Sequence, residues 1–333
     1  MNGKALVRRL GLGRAVYRLW HAPLGALKTS FAAGGPVEQW RDRRAHAEMT
    51  AAAAQLPPQT LPPPPGWPEV HFLTGARFWD QTALCLYTLQ AHAGHTLHSV
   101  VHDDGTLTPP VVRNLRRIFP QMAVCLRSED EARASAALPA GRFPTLQAER
   151  HRPYPNMLKL TDVHAGSHGW KLVLDSDMLF FRRPDFLLDW LRAPDRPLHL
   201  VDVKDSYGYS RPLLESLAGA PLPSRLNVGF CGLRSDAFDW EKLEFWSRRL
   251  VEMEGSSYYL EQALGAMLCA GGRCAVAPVE DYQVLPLEAE CRAPRAVLHH
   301  YVAGSKRGYF RYAWRVALAC SAVRGAVPPS ATS

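Results

Sequence analysis

The fold of this chain is decided at residues 171–181, which read Lys-Leu-Val-Leu-Asp-Ser-Asp-Met-Leu-Phe-Phe. An apolar run leads into two carboxylates, Asp175 and Asp177, and a second apolar run follows at once. Buried carboxylates are costly unless they are paired or coordinate a metal, so this pair at the end of a buried strand predicts a bound cation. Mg²⁺ or Mn²⁺ fits best, because hard divalent ions prefer oxygen ligands and often complete their coordination with phosphate oxygens. A phosphorylated ligand is therefore expected beside the metal.

The length and composition predict a globular protein with one large α/β domain or two smaller domains. Of the 333 residues, 47% are hydrophobic and 21% are charged, which excludes a disordered or fibrous chain. The formal net charge of +8 favours anionic partners without choosing among nucleotides, phosphosugars, lipid headgroups and nucleic acid. The seven cysteines include no CxxC pair and no zinc-finger spacing, which favours reduced thiols.

The N-terminal arm is basic and amphipathic. It contains no uninterrupted apolar region of the signal-peptide type, and no segment of the chain reaches the ~18 apolar residues of a spanning helix. We therefore expect a cytoplasmic protein. Between Arg8 and Trp20 arginines alternate with large apolar residues, which makes this arm a candidate for peripheral membrane contact. A surface helix docked on the domain explains the same pattern and is the favoured interpretation.

A proline block at residues 57–65 marks the predicted start of the main domain. Since proline interrupts helices and central strands, residues 1–68 are predicted to form a basic, helical extension and an extended linker. Apolar runs at 70–75, 97–102 and 122–126 then alternate with helical patterns at 82–93 and 113–119. This alternation predicts an α/β fold with a mostly parallel, Rossmann-like sheet flanked by helices. We place a single catalytic domain at residues 69–312 and a C-terminal tail at 313–333.

Polar residues follow three of the predicted strands, where ligands bind in sheets of this kind. They are Thr74-Gly75, Asp103-Asp104 and Asp175-Ser176-Asp177. The second half of the chain is predicted to hold strands at 227–233 and 297–301 and helices at 241–253 and 258–269. The basic, aromatic run at 306–315 is at least as compatible with a closing helix as with a phosphate or nucleic-acid surface. We expect no nucleic-acid partner.

Several short motifs occur in a fixed order between residues 69 and 312. They are Lys159 sixteen residues before Asp175, then Asp175-x-Asp177, Asn227-x-Gly229, Glu261-Gln262, and His300 with Lys306. This set resembles the helical Lys, DxD, NSG, acidic-residue-plus-Gln and His-x5-Lys motifs of nucleotide-sugar glycosyltransferases with the type A fold, in particular distant glycogenin-like members of family 8. Two positions depart from that pattern, because Val228 replaces the Ser of NSG and Arg307-Gly308 replaces Pro-Trp. The acceptor and the family branch are therefore left open.

The resemblance implies a metal-dependent transfer of a hexose from a nucleoside diphosphate sugar, with UDP-hexose favoured. The acceptor would be a hydroxyl of a saccharide, a lipid-linked glycan or a protein, and the transfer would proceed with retention. The implied metal ligands, for Mn²⁺ or Mg²⁺, are Asp175, Asp177 and His300. The implied donor-binding residues are Thr74, Gly75, Phe78, Asp103, Lys159 and Lys306, and the implied catalytic residues are Asn227, Glu261 and Gln262.

Alternatives stay open at several points. Strand alternation sends His299 and His300 to opposite faces, so only one of them can be the ligand. A sugar-phosphate nucleotidyltransferase also uses paired carboxylates, but its Gly-rich basic loop is replaced here by residues 74–78, which hold one glycine and one arginine. A haloacid-dehalogenase-like phosphatase carries its DxD at the start of the domain and not in the middle of the chain. A non-catalytic sugar-nucleotide-binding relative is a further alternative, against which the complete set of metal ligands argues.

Overall fold

The computed structural model describes residues 35–325. Contacts divide the chain into two compact units, with the boundary between Ala51 and Ala52. The predicted domain limits at residues 69 and 312 stay predictions. The amphipathic pattern between Arg8 and Trp20 lies outside the described residues, and so do the last eight residues of the predicted tail.

Helix α1 (Gly35–Ala53) begins the described chain. Its alanines and arginines are good helix formers, and Arg41–Glu38 and Arg44–Glu48 join successive turns at 2.6 and 2.9 Å. Such exposed pairs contribute little individually. Residues 54–68 contain neither helix nor strand, as the proline block predicts.

The remaining strands and helices alternate regularly up to β3 and less regularly after it. The strands are β1 (Glu69–Thr74), β2 (Ser99–Asp103), β3 (Ala123–Cys125), β4 (Trp170–Leu174), β5 (Met178–Phe180), β6 (Leu198–Val201), β7 (Leu226–Arg234), β8 (Ala275–Val276), β9 (Tyr282–Val284) and β10 (Leu298–His300). The helices are α2 (Trp79–Ala93), α3 (Pro109–Ile118), α4 (Arg127–Ala137), α5 (Pro144–Arg150), α6 (Met157–His164), α7 (Asp185–Arg192), α8 (Arg211–Ala218), α9 (Trp240–Glu254), α10 (Leu260–Leu268), α11 (Glu288–Arg292) and α12 (Lys306–Gly308). A π-helical stretch, Tyr309–Ala313, joins α12 to α13 (Trp314–Gly325), so the basic, aromatic run is helical.

The larger sheet has the strand order β3-β2-β1-β4-β7-β6-β8. Strands β1 to β4 are mutually parallel where they pair, and β7 is antiparallel to both β4 and β6. The predicted α/β class with a mostly parallel, helix-flanked sheet is confirmed. Because β6 therefore runs in the same direction as β4, the carboxyl ends of β1, β2, β4 and β6 share one edge of the sheet.

A smaller three-stranded sheet, in the order β5-β10-β9, was not predicted from the sequence. Strand β5 begins directly after Asp177 and pairs antiparallel with β10, so that Met178 lies opposite His300. This pairing brings the C-terminal part of the domain to the end of β4. It is the element of the fold that assembles the site.

Helix α10 packs tightly on β7. A Cβ placed on Gly265 would lie 2.8 Å from Cγ1 of Val228, so only glycine allows this approach. Val228 is buried in the core, and strand alternation points Asn227 and Gly229 to the other face. The Val that departs from the NSG motif is therefore a packing residue for α10. No helix within residues 35–325 has the length and apolar character needed to cross a bilayer.

Candidate active site

The loop from Asp175 to Asp177 is held at each of its three residues. The backbone N–H of Asp175 donates to the carbonyl of Gly229 at 2.6 Å, and the backbone N–H of Tyr301 donates to the carbonyl of Asp177 at 2.8 Å. The hydroxyls of Ser176 and Thr82 lie 2.7 Å apart. The loop therefore has a fixed position between β7, β10 and α2, with both carboxylates on the same side.

His300 completes a group of three metal-ligand side chains. Its Nε2 lies 3.3 Å from Oδ1 of Asp177 and 3.6 Å from Oδ2 of Asp175, and one ligand atom from each residue falls within 4.8 Å of the others. The imidazole is 2% exposed, and neither ring nitrogen makes a hydrogen bond of good geometry. A buried imidazole whose nitrogens make no well-aligned hydrogen bond is costly, which favours a further group bound between it and the carboxylates.

The donor set fits a divalent cation. Two carboxylates suit Mg²⁺ and Mn²⁺ alike, whereas an imidazole ligand is more common for transition metals and so favours Mn²⁺. Gly229 provides the space, because a Cβ at that position would lie 2.5 Å from Oδ2 of Asp175 and 2.6 Å from Cε1 of His300. Asp175, Asp177 and His300 are therefore the residues that would hold the ion.

Two lysines flank this group, one on each carboxylate. Nζ of Lys159, on α6, lies 3.0 Å from Oδ1 of Asp175, and Nζ of Lys306 lies 3.0 Å from Oδ2 of Asp177. Lys306 also sits 5.8 Å from the ring centre of Phe78. The arrangement concentrates two positive and two negative charges within one cleft, which suits the binding of a metal together with a polyanion.

The ionisation of the group follows from these contacts. Burial alone would raise the pKa of Asp175, but Lys159 and His300 hold it well below its usual range. Burial would lower the pKa of His300, yet the adjacent carboxylates Asp175 and Asp177 raise it to about 9. Both carboxylates are therefore ionised at neutral pH, the form in which they act as metal ligands, whereas His300 has to release its proton when it binds an ion.

Glu261, on α10, lies on the other side of Lys159. Its Oε2 is 3.6 Å from Nζ of that lysine, and burial raises the pKa of the carboxyl to about 7, against the opposing effect of Lys159. A buried acid that titrates near neutrality can exist as either acid or base at the site. The neighbouring Gln262 donates its Nε2–H to the carbonyl of Leu226 at 3.1 Å, which ties α10 to β7.

Asn227 forms hydrogen bonds on both sides of its amide. Its Oδ1 accepts from the N–H of Gly229 at 3.0 Å, and its Nδ2 donates to Oδ2 of Asp202 at 2.9 Å. Asp202 follows β6 at the same edge of the sheet as Asp175, and the sequence reasoning missed it. The rule that polar residues follow strand ends would have found it, had the short strand β6 been predicted.

The predicted donor residues after the first two strands have defined partners. Thr74 accepts a hydrogen bond from Thr82 at 2.8 Å, and Asp103 accepts from the N–H groups of Gly105 and Leu107 at 2.8 and 2.9 Å. Gly75 is required by close packing, since a Cβ there would lie 2.1 Å from Oδ1 of Asp104. These contacts shape the loops at the edge of the sheet, and direct donor contacts for Thr74, Gly75 and Asp103 stay predictions.

His299 lies on the opposite face of β10 from His300. Its Nδ1 is 2.9 Å from the hydroxyl of Tyr301, its Nε2 is 3.3 Å from Glu290, and its ring packs on Phe181. Burial lowers the pKa of His299 to about 4, despite the carboxylate of Glu290. Of the two histidines, only His300 faces the carboxylates of the site.

Comparison with known proteins gives similarity of fold only. No family model and no curated protein sequence matches the chain. Mouse xyloside xylosyltransferase 1 in its apo form is 12% identical, with a TM-score of 0.46, over 70% of this chain and 97% of its own. The galactosyltransferase LgtC with donor and acceptor sugar analogues is 15% identical, with a TM-score of 0.48, over 78% and 98%. The glycosyltransferase GlyE of Streptococcus pneumoniae TIGR4 is 13% identical, with a TM-score of 0.44, over 80% and 66%. All three are glycosyltransferases, the class that the sequence motifs resemble.

Proposed function

We propose that this protein is a metal-dependent glycosyltransferase that moves a hexose from a nucleoside diphosphate sugar to a hydroxyl acceptor. The observation that carries this proposal is the convergence of Asp175, Asp177 and a buried His300, whose ring nitrogens make no hydrogen bond of good geometry, between two lysines. Such a site accommodates a divalent ion and the diphosphate of a donor at once. The predicted Mn²⁺ preference rests on the imidazole in the donor set.

The cationic side chains have a direct role in this proposal. When bound, the metal would act as a Lewis acid on the diphosphate oxygens. Lys159 and Lys306 are placed to donate hydrogen bonds to the same diphosphate, once their present carboxylate partners bind the ion. Phe78, whose ring lies beside Lys306, is placed for stacking on the nucleobase. The lysines thereby stabilise the negative charge that develops on the leaving group.

The proposed transfer requires no strong general base. The bond from the anomeric carbon to the β-phosphate oxygen breaks, a bond from that carbon to the acceptor oxygen forms, and the acceptor proton passes to the leaving diphosphate. Glu261, with a pKa raised to about 7, lies next to Lys159, 3.6 Å from its Nζ. We assign Glu261 and Gln262 to the sugar side of the site and propose retention of configuration at the anomeric carbon.

A panel of nucleotide sugars tests the proposal directly. Purified protein is incubated with each donor, with Mn²⁺, Mg²⁺ or EDTA, and release of nucleoside diphosphate is measured. We expect metal-dependent release from one donor, with UDP-hexoses the first candidates. Release of pyrophosphate from a nucleoside triphosphate and a sugar phosphate would instead identify a nucleotidyltransferase. Donor binding without any turnover, with acceptor sugars present, would identify a non-catalytic relative.

A further inference from the structure

A second cavity opens at the same edge of the sheet, beyond the ends of β2 and β3. Its volume is about 740 Å³, which is within the range of ~300 to 1,000 Å³ typical of ligand pockets. It lies between α3 and α4, and Asp103 at the end of β2 forms part of its wall. We call it the α3–α4 groove.

The groove lies close to the candidate active site. Asp103 is the direct β-sheet partner of Thr74. A chain of hydrogen bonds runs from the hydroxyl of Thr74 through that of Thr82 to that of Ser176, which stands between the two carboxylates of the candidate metal site. Since neighbouring strands are ~4.8 Å apart, the ends of β2 and β4 are separated by roughly 10 Å. The groove therefore lies on the β2–β3 side of the carboxylates, and α10 with Glu261 lies on their β7 side, so an acceptor anchored in the groove has to extend past the ends of β1 and β4 to reach the sugar.

The charged lining of the groove carries a formal net charge of +1, from three arginines and two carboxylates. Arg127 pairs with Asp162 at 2.9 Å and Glu131 with Arg150 at 2.5 Å, whereas Asp103 accepts backbone hydrogen bonds and keeps its negative charge. Arg113 and Arg116, on α3, also line the groove, and neither has an ion-pair partner among residues 35–325. Guanidinium groups bind phosphate oxygens with matched geometry, so these two favour a phosphate group.

Four apolar residues, half-buried or exposed, contribute to the lining. Leu107, Pro109, Val112 and Leu126 face the groove, and Leu126 is 44% exposed. Exposed apolar surface of this kind beside positive charge indicates an amphiphilic ligand, with an anionic group and a hydrocarbon segment. The groove is open to solvent and runs between α3 and α4, a shape that accommodates a single chain along its length.

We propose that the α3–α4 groove binds the phosphate ester of a long-chain alcohol, the carrier end of a lipid-linked acceptor. Arg113 and Arg116 bind the phosphate, and the apolar lining covers the first part of the chain. The role as acceptor site rests on the proposed transferase function, whereas the binding itself does not. Of the three acceptor classes left open by the sequence, this groove selects the lipid-linked one.

Binding of decyl phosphate, below its micelle concentration and without any donor, tests the proposal by titration calorimetry. We expect binding to the full chain that the double variant Arg113→Gln/Arg116→Gln weakens at least about tenfold, because two charged hydrogen-bond donors are lost. The matched control is Arg182→Gln/Arg248→Gln, which removes the same charge from exposed positions outside the groove and should bind normally. Leu126→Ser should weaken decyl phosphate about threefold and leave binding of inorganic phosphate unchanged.

Several results would overturn the proposal. They are the absence of decyl phosphate binding, equal weakening in both double variants, equally tight binding of the neutral decyl maltoside, and binding only to phosphatidylglycerol vesicles. If oligoglutamate displaced decyl phosphate as effectively as unlabelled decyl phosphate does, the groove would instead be a site for an acidic protein partner. Thermal unfolding of each variant excludes misfolding as the cause, since all the substituted side chains are exposed. Failure to bind decyl phosphate would refute the groove proposal and would not bear on the donor-hydrolysis test of the proposed function. Binding of decyl phosphate by a protein without transferase activity would refute only the role of the groove as an acceptor site.

Discussion

Within residues 35–325, two clusters bring a histidine and acidic or thiol side chains within metal-binding distance, and they differ in what their atoms already bind. They are the strand-end cluster of Asp175, Asp177 and His300, and the inner cluster of His102, Cys125 and Asp130. In the strand-end cluster, both nitrogens of His300 lack a hydrogen bond. In the inner cluster, Nδ1 of His102 lies 2.7 Å from Oδ2 of Asp130 and Nε2 lies 2.9 Å from Nδ1 of His71.

The inner cluster is thus a completed hydrogen-bond network. Asp130 is fully buried and also accepts from Arg133 at 2.6 Å. Burial and then the charge of Asp130 raise the pKa of the Cys125 thiol, which disfavours the thiolate that a metal requires. The comparison teaches that short distances between ligand-type side chains do not by themselves make a metal site, and that the candidate site differs in having ring nitrogens without a well-aligned hydrogen bond.

The largest expected effect is the loss of turnover when the strand-end cluster is altered. Asp177→Asn should reduce metal-dependent release of nucleoside diphosphate by at least about 1,000-fold, because a metal ligand and a charge are removed from the reacting centre. The melting temperature should stay close to that of the wild type. Asp189→Asn, which neutralises an exposed carboxylate on α7, is the matched control and should retain activity. Turnover of Asp177→Asn at the wild-type rate would refute the assigned site.

The inner cluster should show the opposite response. Asp130→Ala leaves His102 and Arg133 without their buried partner, so the free energy of unfolding should fall by about 3 kcal/mol. Urea denaturation measures this loss. Mn²⁺ affinity of the folded fraction, followed by electron paramagnetic resonance, should be unchanged. A loss of Mn²⁺ binding in a stably folded Asp130→Ala would make the inner cluster the metal site.

The pH dependence of the free energy of unfolding gives a second test of the inner cluster, through His71, which is hydrogen-bonded to His102. Burial lowers the pKa of His71 to about 4, against the opposing effect of the Glu69 carboxylate 3.3 Å from its Nε2. Between pH 6.5 and 4 the unfolded chain therefore binds a proton that the folded chain does not. The free energy of unfolding decreases by roughly 1 to 3 kcal/mol as the pH is lowered through this range. In His71→Asn this contribution should be absent. Urea unfolding of both proteins at pH 7 and pH 5 measures the difference, and parallel losses would contradict the prediction.

The two adjacent histidines offer the smallest and most local comparison. His300→Ala should weaken Mn²⁺ binding about tenfold with little change in stability, because one of three protein ligands is removed. His299→Ala should preserve Mn²⁺ affinity but destabilise the fold by about 1 kcal/mol, since its bonds to Tyr301 and Glu290 are lost. Equal Mn²⁺ affinities in the two variants would show that neither ring is a ligand.

Much of the fold could be predicted because buried parallel strands are continuous apolar runs with polar residues at their ends. The runs before Thr74, Asp103 and Asp175 all form strands of the larger sheet, in register with one another. Strand β6 was missed because four residues give too short a pattern, and Asp202 was missed with it. The ability of the α3–α4 groove to bind a phosphate group could not be predicted from the sequence, because it depends on which arginines already form ion pairs in the folded protein.

The sequence by itself determined the α/β class, the position of the acidic pair and the candidate residues around it, because these follow from local apolar runs and the polar residues that end them. Only the tertiary structure decided which histidine meets the carboxylates. That choice depends on the antiparallel register of β5 with β10, where Met178 lies opposite His300. Register between distant segments is set by the packing of the whole domain, and a shift of one residue would present His299 to the site instead.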